Sequence, residues 1–294
     1  MRVNYYKHYN IVGWLFVIPF AVAFSIFTIY PIISSLLLTF QDVRGLNAKW
    51  VGITNYQKLL TDELFLKSLQ NTLMFLVIQV PIMLVLGLII AVTLTNPRIR
   101  GKGFFRTMVF LPCITSLVSY SMLFKIMFSV DGVINQFLAS IFPFPGHIDW
   151  LNTSFWARAL IVIAITWRWT GYNSMFYISA LQNIPGDLFE AADIDGAGPV
   201  KKFMKIIVPL LKPNIIFTSV CSTIGTLQLF DEPFNITAGG PTYATMSISQ
   251  YIFNLSFRGP AKFSYAATVS YVIVLLTVLF AIIQFKGAGD NHAD

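Results

Sequence analysis

Charged residues are scarce in this chain of 294 residues, of which only 11% are Asp, Glu, Lys or Arg. Soluble domains usually carry about 25%, so this composition excludes an ordinary water-soluble domain. Cysteine and histidine are also rare, with two and three residues respectively, and Cys113 and Cys221 both fall in apolar stretches. No disulfide framework, metal site or histidine-based catalytic site is therefore expected.

A nucleotide-binding loop is missing as well. No stretch matches G-x-x-x-x-G-K-[ST], and the nearest fragment, Gly101-Lys102-Gly103, lacks both the spacing and the hydroxyl residue. The chain is not expected to bind ATP or to be an enzyme, so energy for any transport has to come from another polypeptide or from an ion gradient.

Apolar residues are abundant instead, at 56% of the chain with a mean hydropathy of +0.69. Apolar runs near 20 residues recur, and each is long enough to cross a bilayer as a helix. Helices are favoured because they satisfy their own backbone hydrogen bonds in hydrocarbon. The first run is too long for a secretory signal and is predicted to stay uncleaved. The pattern predicts an all-α polytopic membrane protein with six spans, at residues 11–39, 71–95, 105–128, 158–180, 214–233 and 263–285.

The distribution of Lys and Arg predicts the orientation. The short loop at 96–106 carries four cations and no acid, whereas the loop at 129–157 carries two acids and neither Lys nor Arg. Cytoplasmic loops are the ones enriched in Lys and Arg, so both termini and the loop at 183–213 are predicted to be cytoplasmic. The same rule accounts for the net charge of +7, and no nucleic-acid partner is expected.

The loop at 183–213 is unusually structured for a membrane protein. Pro185 can start a helix, Gly196 and Gly198 break it, and Pro199 can open a second helix. An apolar stripe on the second helix fits an amphipathic helix lying in the lipid headgroups; its members are Phe203, Ile206, Ile207 and Leu210. The acids of the first helix would be repelled by an anionic leaflet, which favours docking to a protein; they are Glu190, Asp193 and Asp195.

Two groups of residues within the spans are candidates for a substrate pathway. Arg168 is predicted near the membrane midplane, with Tyr172 four residues further on and Asn173 beside it; an inter-helix hydrogen-bond network is the alternative. A small and polar stripe runs along the fifth span, and simple helix packing is its alternative; its members are Ser222, Gly225, Thr226 and Leu229. Gln228, Asp231 and Glu232 are expected nearer the outer mouth.

Several motifs resemble one family closely. Glu190-Ala191-Ala192 and Asp195-Gly196-Ala197, followed by Phe203, Ile206 and Pro209, resemble the EAA loop of bacterial binding-protein-dependent ABC importer permeases. Further similar stretches cover most of the chain: VGITNYQKLL, FFRTMVFLP, ALQNIPGDLFEAA and TAGGPTYAT. The resemblance is to the carbohydrate branch, and within it to the first membrane subunit of maltose-type and glycerol-3-phosphate-type importers.

This resemblance implies an ABC type I importer permease fold, with residues 1–294 as a single transmembrane domain in the bacterial plasma (inner) membrane. The EAA loop, residues 183–213, would couple to the ATPase, and a carbohydrate, in the first place an oligosaccharide, would pass near Ser222, Gly225, Thr226 and Leu229. Gly225 and Leu229 depart from the polar residues of the maltose-type site. The implied partners are a second homologous permease, two ATP-binding subunits that hold ATP and Mg, and an extracellular or periplasmic solute-binding protein.

A secondary transporter driven by an ion gradient is the alternative function. Such transporters use broken helices and a membrane-embedded carboxylate. The sequence places no acid deep in a span, although Asp231 and Glu232 come close to one end. The EAA-loop residues favour the ATP-driven importer.

Overall fold

The computed structural model describes residues 3–45, 47–96, 99–141 and 147–289 of the chain. Arg98, one of the four cations in the loop at 96–106, lies outside these ranges, and so do the extreme termini. The chain divides into two compact units. One comprises the residues up to Asp62 together with Ile252–Val272, and the other comprises Glu63–Tyr251 together with the residues from Ile273 onward. The single permease domain expected over residues 1–294 stays a prediction.

The first unit begins with one long apolar helix. It consists of α1 (Val3–Phe24), a π-helical turn (Ser25–Ile29) and α2 (Tyr30–Thr39). None of the side chains in its most apolar stretch is buried within this chain, as expected for a helix that faces lipid or another subunit. The segment agrees with the first predicted span.

A short hairpin follows this helix. Strand β1 (Gln41–Arg44) pairs antiparallel with β2 (Asn47–Trp50), with Gln41 opposite Trp50. These strands are an exception to the all-α prediction, because the chain leaves its apolar run here and becomes polar. Helix α3 (Thr54–Leu59) completes the segment, and Tyr265 donates a hydrogen bond of 2.6 Å to Asp62 Oδ2 within the same unit.

The second unit is built on two long helices, α4 (Glu63–Thr95) and α8 (Ser154–Leu181), which pack along each other. Gly87 lies at the contact. A Cβ there would lie 3.3 Å from the Tyr177 ring and 3.4 Å from Asn173 Cβ, so the glycine allows the two helices to approach closely. α8 is long enough to cross a bilayer, at about 42 Å. It buries many polar residues, among them Thr166, Arg168 and Asn173, and is not among the helices that qualify as spans by hydropathy.

The third predicted span, 105–128, is not one continuous helix. α5 (Lys102–Ile114) and α6 (Leu117–Met127) meet at an angle of 100°. The break falls at Thr115 and Ser116, where the backbone turns to an extended conformation. Arg168 supplies the hydrogen bonds that the last carbonyl groups of α5 lose at this break, which explains how the bend is tolerated.

The fifth predicted span, 214–233, is also shorter than expected. α12 (Lys212–Leu227) ends before the separate helix α13 (Asp231–Ile236) begins. On its other side, α12 meets the segment Pro199–Leu210 at 71°, and Pro209 and Pro213 flank this bend. The remaining helices are α7 (Val133–Ile141), α9 (Asp187–Ile194), α10 (Pro199–Lys202), α11 (Val208–Leu210), α14 (Ile248–Phe257) and α15 (Phe263–Gly289).

By length and composition, the described residues contain three helices that could cross a membrane, or up to five if each bent pair forms one span. The three are Val12–Thr39, Glu63–Thr95 and Phe263–Gly287. The described part of the chain is therefore mostly helical, and several of its helices are long and apolar enough to cross a membrane. The predicted total of six includes α8, whose polar residues are covered by neighbouring helices rather than exposed to lipid.

Candidate functional site: the EAA loop and a cavity

The EAA loop folds as two helical segments around a glycine turn. Helix α9 covers the first segment, and α10, a π-helical turn (Phe203–Ile207) and α11 form the second. Gly196 has φ of +68°, a left-handed conformation that favours glycine. The Ala197 N–H donates to the Ala192 carbonyl at 2.9 Å, which closes the end of α9. The turn therefore depends on the backbone of Gly196 and not on a side chain.

The loop exposes a surface of mixed polarity. Glu190, Ala191 and Asp195 are exposed, whereas Ala192 is buried. Ile194 is 87% exposed and Val200 75% exposed, although both are apolar. Ile194 is flanked by Asp193 and Asp195, and Val200 by Pro199 and Lys201, so the loop exposes apolar side chains among charged ones. Neither Ile194 nor Val200 was part of the sequence prediction.

An ion pair connects the two segments. Lys202 Nζ binds Asp193 Oδ1 across the glycine turn. This contact within the loop braces the angle between α9 and α10.

The base of the loop is packed into the second unit. Ile207 and Leu211 are buried against Leu88 and Leu94 of α4 and Tyr177 of α8. Phe203 and Phe189 pack against the same cluster while partly exposed. Ile206 is partly buried, and Pro209 is exposed. A force applied to the loop would therefore be transmitted through apolar contacts to the two long helices.

A cavity of about 490 Å³ lies in the second unit, with walls from α4, α8, α12 and residues 228–232. Seven of the eight predicted pathway residues line it, namely Tyr172, Asn173, Ser222, Gly225, Thr226, Gln228 and Leu229. No side-chain atom fills the space beside Gly225, where an added Cβ would meet nothing within 4 Å. The stripe thus borders a cavity, and one of its members, Thr226, also contacts α4.

Polar side chains cross the cavity wall from helix to helix. Thr226 Oγ1 donates to Gln79 Oε1 at 3.0 Å, and Gln79 Nε2 approaches Met83 Sδ at 3.1 Å. Asn173 Nδ2 lies 3.4 Å from Ser222 Oγ, while Asn173 Oδ1 has no hydrogen-bond partner among the described residues. These buried amides and hydroxyls offer both donors and acceptors to a polar ligand. Gln79 was missed because a single polar residue in an apolar run carries no periodic signal.

Arg168 does not line the cavity. It is 5% exposed, and its guanidinium donates to the carbonyl oxygens of Thr115 at 2.9 Å and of Pro112 and Cys113 at 3.2 Å. These contacts form an inter-helix hydrogen-bond network, which the sequence had left open as the alternative to a substrate pathway. The side chain supports the bend between α5 and α6.

Glu232 is a buried acid in the cavity wall. It is 2% exposed and lines the cavity, and its expected place near one end of a span stays a prediction. Tyr120 of α6 donates a hydrogen bond to Glu232 Oε1, and the Arg168 guanidinium carbon lies 4.8 Å from the Tyr120 ring centroid. The helix break at residue 228 allows this burial, because α13 turns Glu232 toward α6.

Comparison with known proteins identifies the family. Residues 65–285 match the model of the binding-protein-dependent transport system inner membrane component. The chain belongs to this permease family. It is 51% identical over 292 residues to the lactose transport system permease protein LacF of Rhizobium radiobacter, covering 99% of this chain and 98% of LacF. The arabinooligosaccharides transport system permease protein AraP of Halalkalibacterium halodurans is 31% identical, covering 97% and 90%.

The fold of the permease also matches a solved structure. A chain of a bacterial ABC transporter involved in the import of the acidic polysaccharide alginate superposes with a TM-score of 0.86 and 21% identity, covering 99% of this chain and 100% of that chain. The chain thus has the fold of an ABC importer permease and is a multi-pass inner-membrane transport component. Membership of this family confirms the resemblance found from the EAA-loop motifs.

Proposed function

We propose that this permease carries a carbohydrate, in the first place an oligosaccharide, through the cavity on α4, α8 and α12. The observation that carries the proposal is the polar wall formed by Gln79, Asn173, Ser222 and Thr226. Trp169 and Tyr172 add aromatic surface to the same cavity, and hydroxyl-rich ligands with apolar ring faces need both kinds of contact. The names of LacF and AraP support a sugar as cargo.

The complete importer would contain this chain, a second homologous permease, two ATP-binding subunits and an external solute-binding protein. ATP and Mg would bind to the ATP-binding subunits, because this sequence lacks the phosphate-binding loop. Six spans with both termini in the cytoplasm would place the basic loop at 96–106 and the EAA loop on the same side of the membrane. The family description, which names binding-protein-dependent transport, supports the external partner.

The EAA loop would contact the ATP-binding subunits and couple their movement to the permease. Its exposed face carries Glu190, Asp195 and the apolar side chains of Ile194 and Val200. Its buried face joins Ile207 and Leu211 to α4 and α8, which also line the cavity. Closure of the ATP-binding subunits would therefore move the helices that surround the sugar.

Uptake by the reconstituted importer tests this proposal. The complex with its binding protein is placed in liposomes loaded with ATP, and entry of radiolabelled lactose is measured. Uptake should require enclosed ATP and persist when a protonophore removes the proton gradient. Uptake that continues without ATP and stops with the protonophore would favour a secondary transporter, for which the buried Glu232 carboxylate would be the coupling group.

A further inference from the structure

The first apolar helix of the chain ends where the sequence turns polar. The apolar run of α2 closes at Phe40, and the next residues, Gln41 and Asp42, are polar. The span Val12–Thr39 has 28 residues, or about 42 Å of helix, which matches the thickness of a bilayer together with its headgroups. The change in polarity after Phe40 therefore indicates where this span reaches the boundary between membrane and water.

The second strand of the hairpin returns the chain to this end of the span. The strand register places Trp50 opposite Gln41. The N–H groups of Val51 and Gly52 donate to the Phe40 carbonyl at 2.8 and 3.1 Å, and carbonyl groups at the end of a helix need such outside donors. Trp50 is therefore held at the level where the span ends.

A side chain from the start of α3 fixes the same junction. Asn55 Nδ2 donates to the carbonyl oxygen of Thr39 at 2.8 Å and to that of Gln41 at 2.9 Å. The Tyr56 hydroxyl donates to Thr39 Oγ1 at 3.0 Å. These bonds tie α3 to the last turn of the span, so the hairpin and the span form one body within the first unit.

Trp50 presents a large apolar surface at this level. Its ring stacks on Phe40, with centroids 5.8 Å apart and planes at 18°, yet the residue stays 65% exposed. Ile53, three residues further on, is exposed as well, and so is the cation Lys49. Tryptophan and lysine are the side chains that membrane proteins place at the headgroup level.

We propose that Trp50 binds phospholipid at the membrane surface and thereby fixes the depth of the first span. The indole ring would lie among the upper acyl chains, with its N–H donating to headgroup oxygens, because one part of this side chain is apolar and the other is polar. Lys49 would reach the lipid phosphates at the same level. The inference is independent of the cargo and of the contact with the ATP-binding subunits.

Tryptophan fluorescence of the assembled importer in nanodiscs tests this inference. Phospholipid brominated in the upper part of its acyl chains quenches indoles that lie within the bilayer. Trp50→Phe keeps an aromatic ring on Phe40, and subtracting its emission from that of wild type isolates the emission of Trp50. We expect brominated lipid to lower this difference emission at least about twofold relative to ordinary lipid, since an interfacial indole lies close to the upper acyl chains.

Trp150→Phe provides the matched control. Trp150 is buried in the second unit, so the emission isolated with this variant should be the same in brominated and ordinary lipid. Melting temperatures of both variants in nanodiscs confirm that the complexes are folded.

An unchanged Trp50 emission in brominated lipid would overturn the inference. Iodide in the buffer then identifies what surrounds the side chain instead. Quenching by iodide would place Trp50 in water, whereas quenching by neither reagent would show that another subunit covers it.

Discussion

Thr226 on α12 donates a hydrogen bond of 3.0 Å to the side-chain oxygen of Gln79 on α4. Both side chains are buried and line the cavity, so the contact joins two of its walls. The spacing of polar residues on α12 predicted Thr226 as a site residue, whereas no sequence pattern indicated Gln79.

Replacing Thr226 by Val should weaken both the protein and its ligand binding. The substitution preserves shape but leaves Gln79 Oε1 without its donor, at a cost of about 1–3 kcal/mol. We expect a lower melting temperature and a higher KM for sugar uptake. Thr226→Val combined with Gln79→Leu should recover part of the stability, because the unpaired oxygen is gone, but not the KM. Recovery of the KM in the double variant would show that neither side chain contacts the sugar.

Arg168 should behave as a structural residue and not as part of the sugar pathway. Arg168→Lys keeps the charge but cannot reach three carbonyl groups at once, so the bend between α5 and α6 loses hydrogen bonds worth about 1 kcal/mol each. We expect a lower yield and melting temperature of the complex, with little change in the KM of the folded fraction. Ser222→Ala, in the cavity wall, should instead raise the KM and leave the yield and the melting temperature nearly unchanged. A raised KM with unchanged stability in Arg168→Lys would instead indicate that the residue contacts cargo.

Gly196 should be required for coupling because of its backbone conformation. At φ of +68°, alanine costs about 1–2 kcal/mol, enough to distort the turn between α9 and α10. Gly196→Ala should lower ATP-driven uptake and reduce the stimulation of ATP hydrolysis by sugar-loaded binding protein. Gly198→Ala is the matched control, since Gly198 has an ordinary φ of −65° and open space around it. An equal loss of uptake in Gly196→Ala and Gly198→Ala would contradict a special role for the backbone conformation of Gly196.

Much of the architecture could be predicted from local signals. Apolar runs located α4 and α15, and the order of Pro185, Gly196 and Pro199 indicated two helices around a turn in the EAA loop. The spacing of Ser222, Gly225 and Thr226 indicated one face of α12. These features depend on residues close together in the sequence, so pattern and composition suffice. That the α12 face carries sugar, and that the loop contacts an ATPase, stay predictions.

The features that the sequence did not predict depend on contacts between residues far apart in the chain. The apolar run at 105–128 gives little indication that it breaks at Thr115, because the groups that make the break tolerable belong to Arg168, on another helix. The burial of Glu232 likewise requires Tyr120, more than a hundred positions earlier in the chain. Local pattern cannot predict such pairings, since each depends on how helices pack after the chain has folded.

The most direct test of the account is a cross-link from the EAA loop. Ile194 is exposed at the end of α9, and Ile194→Cys in a background without Cys113 and Cys221 provides a single thiol. With a short thiol–amine cross-linker in the assembled complex, the account predicts that this cysteine joins to an ATP-binding subunit, in a yield that changes when ATP is bound. A cysteine at Leu60, exposed in the first unit, should not cross-link to that subunit. If Ile194→Cys gave no product with an ATP-binding subunit while the complex still imported sugar, the central claim would be contradicted.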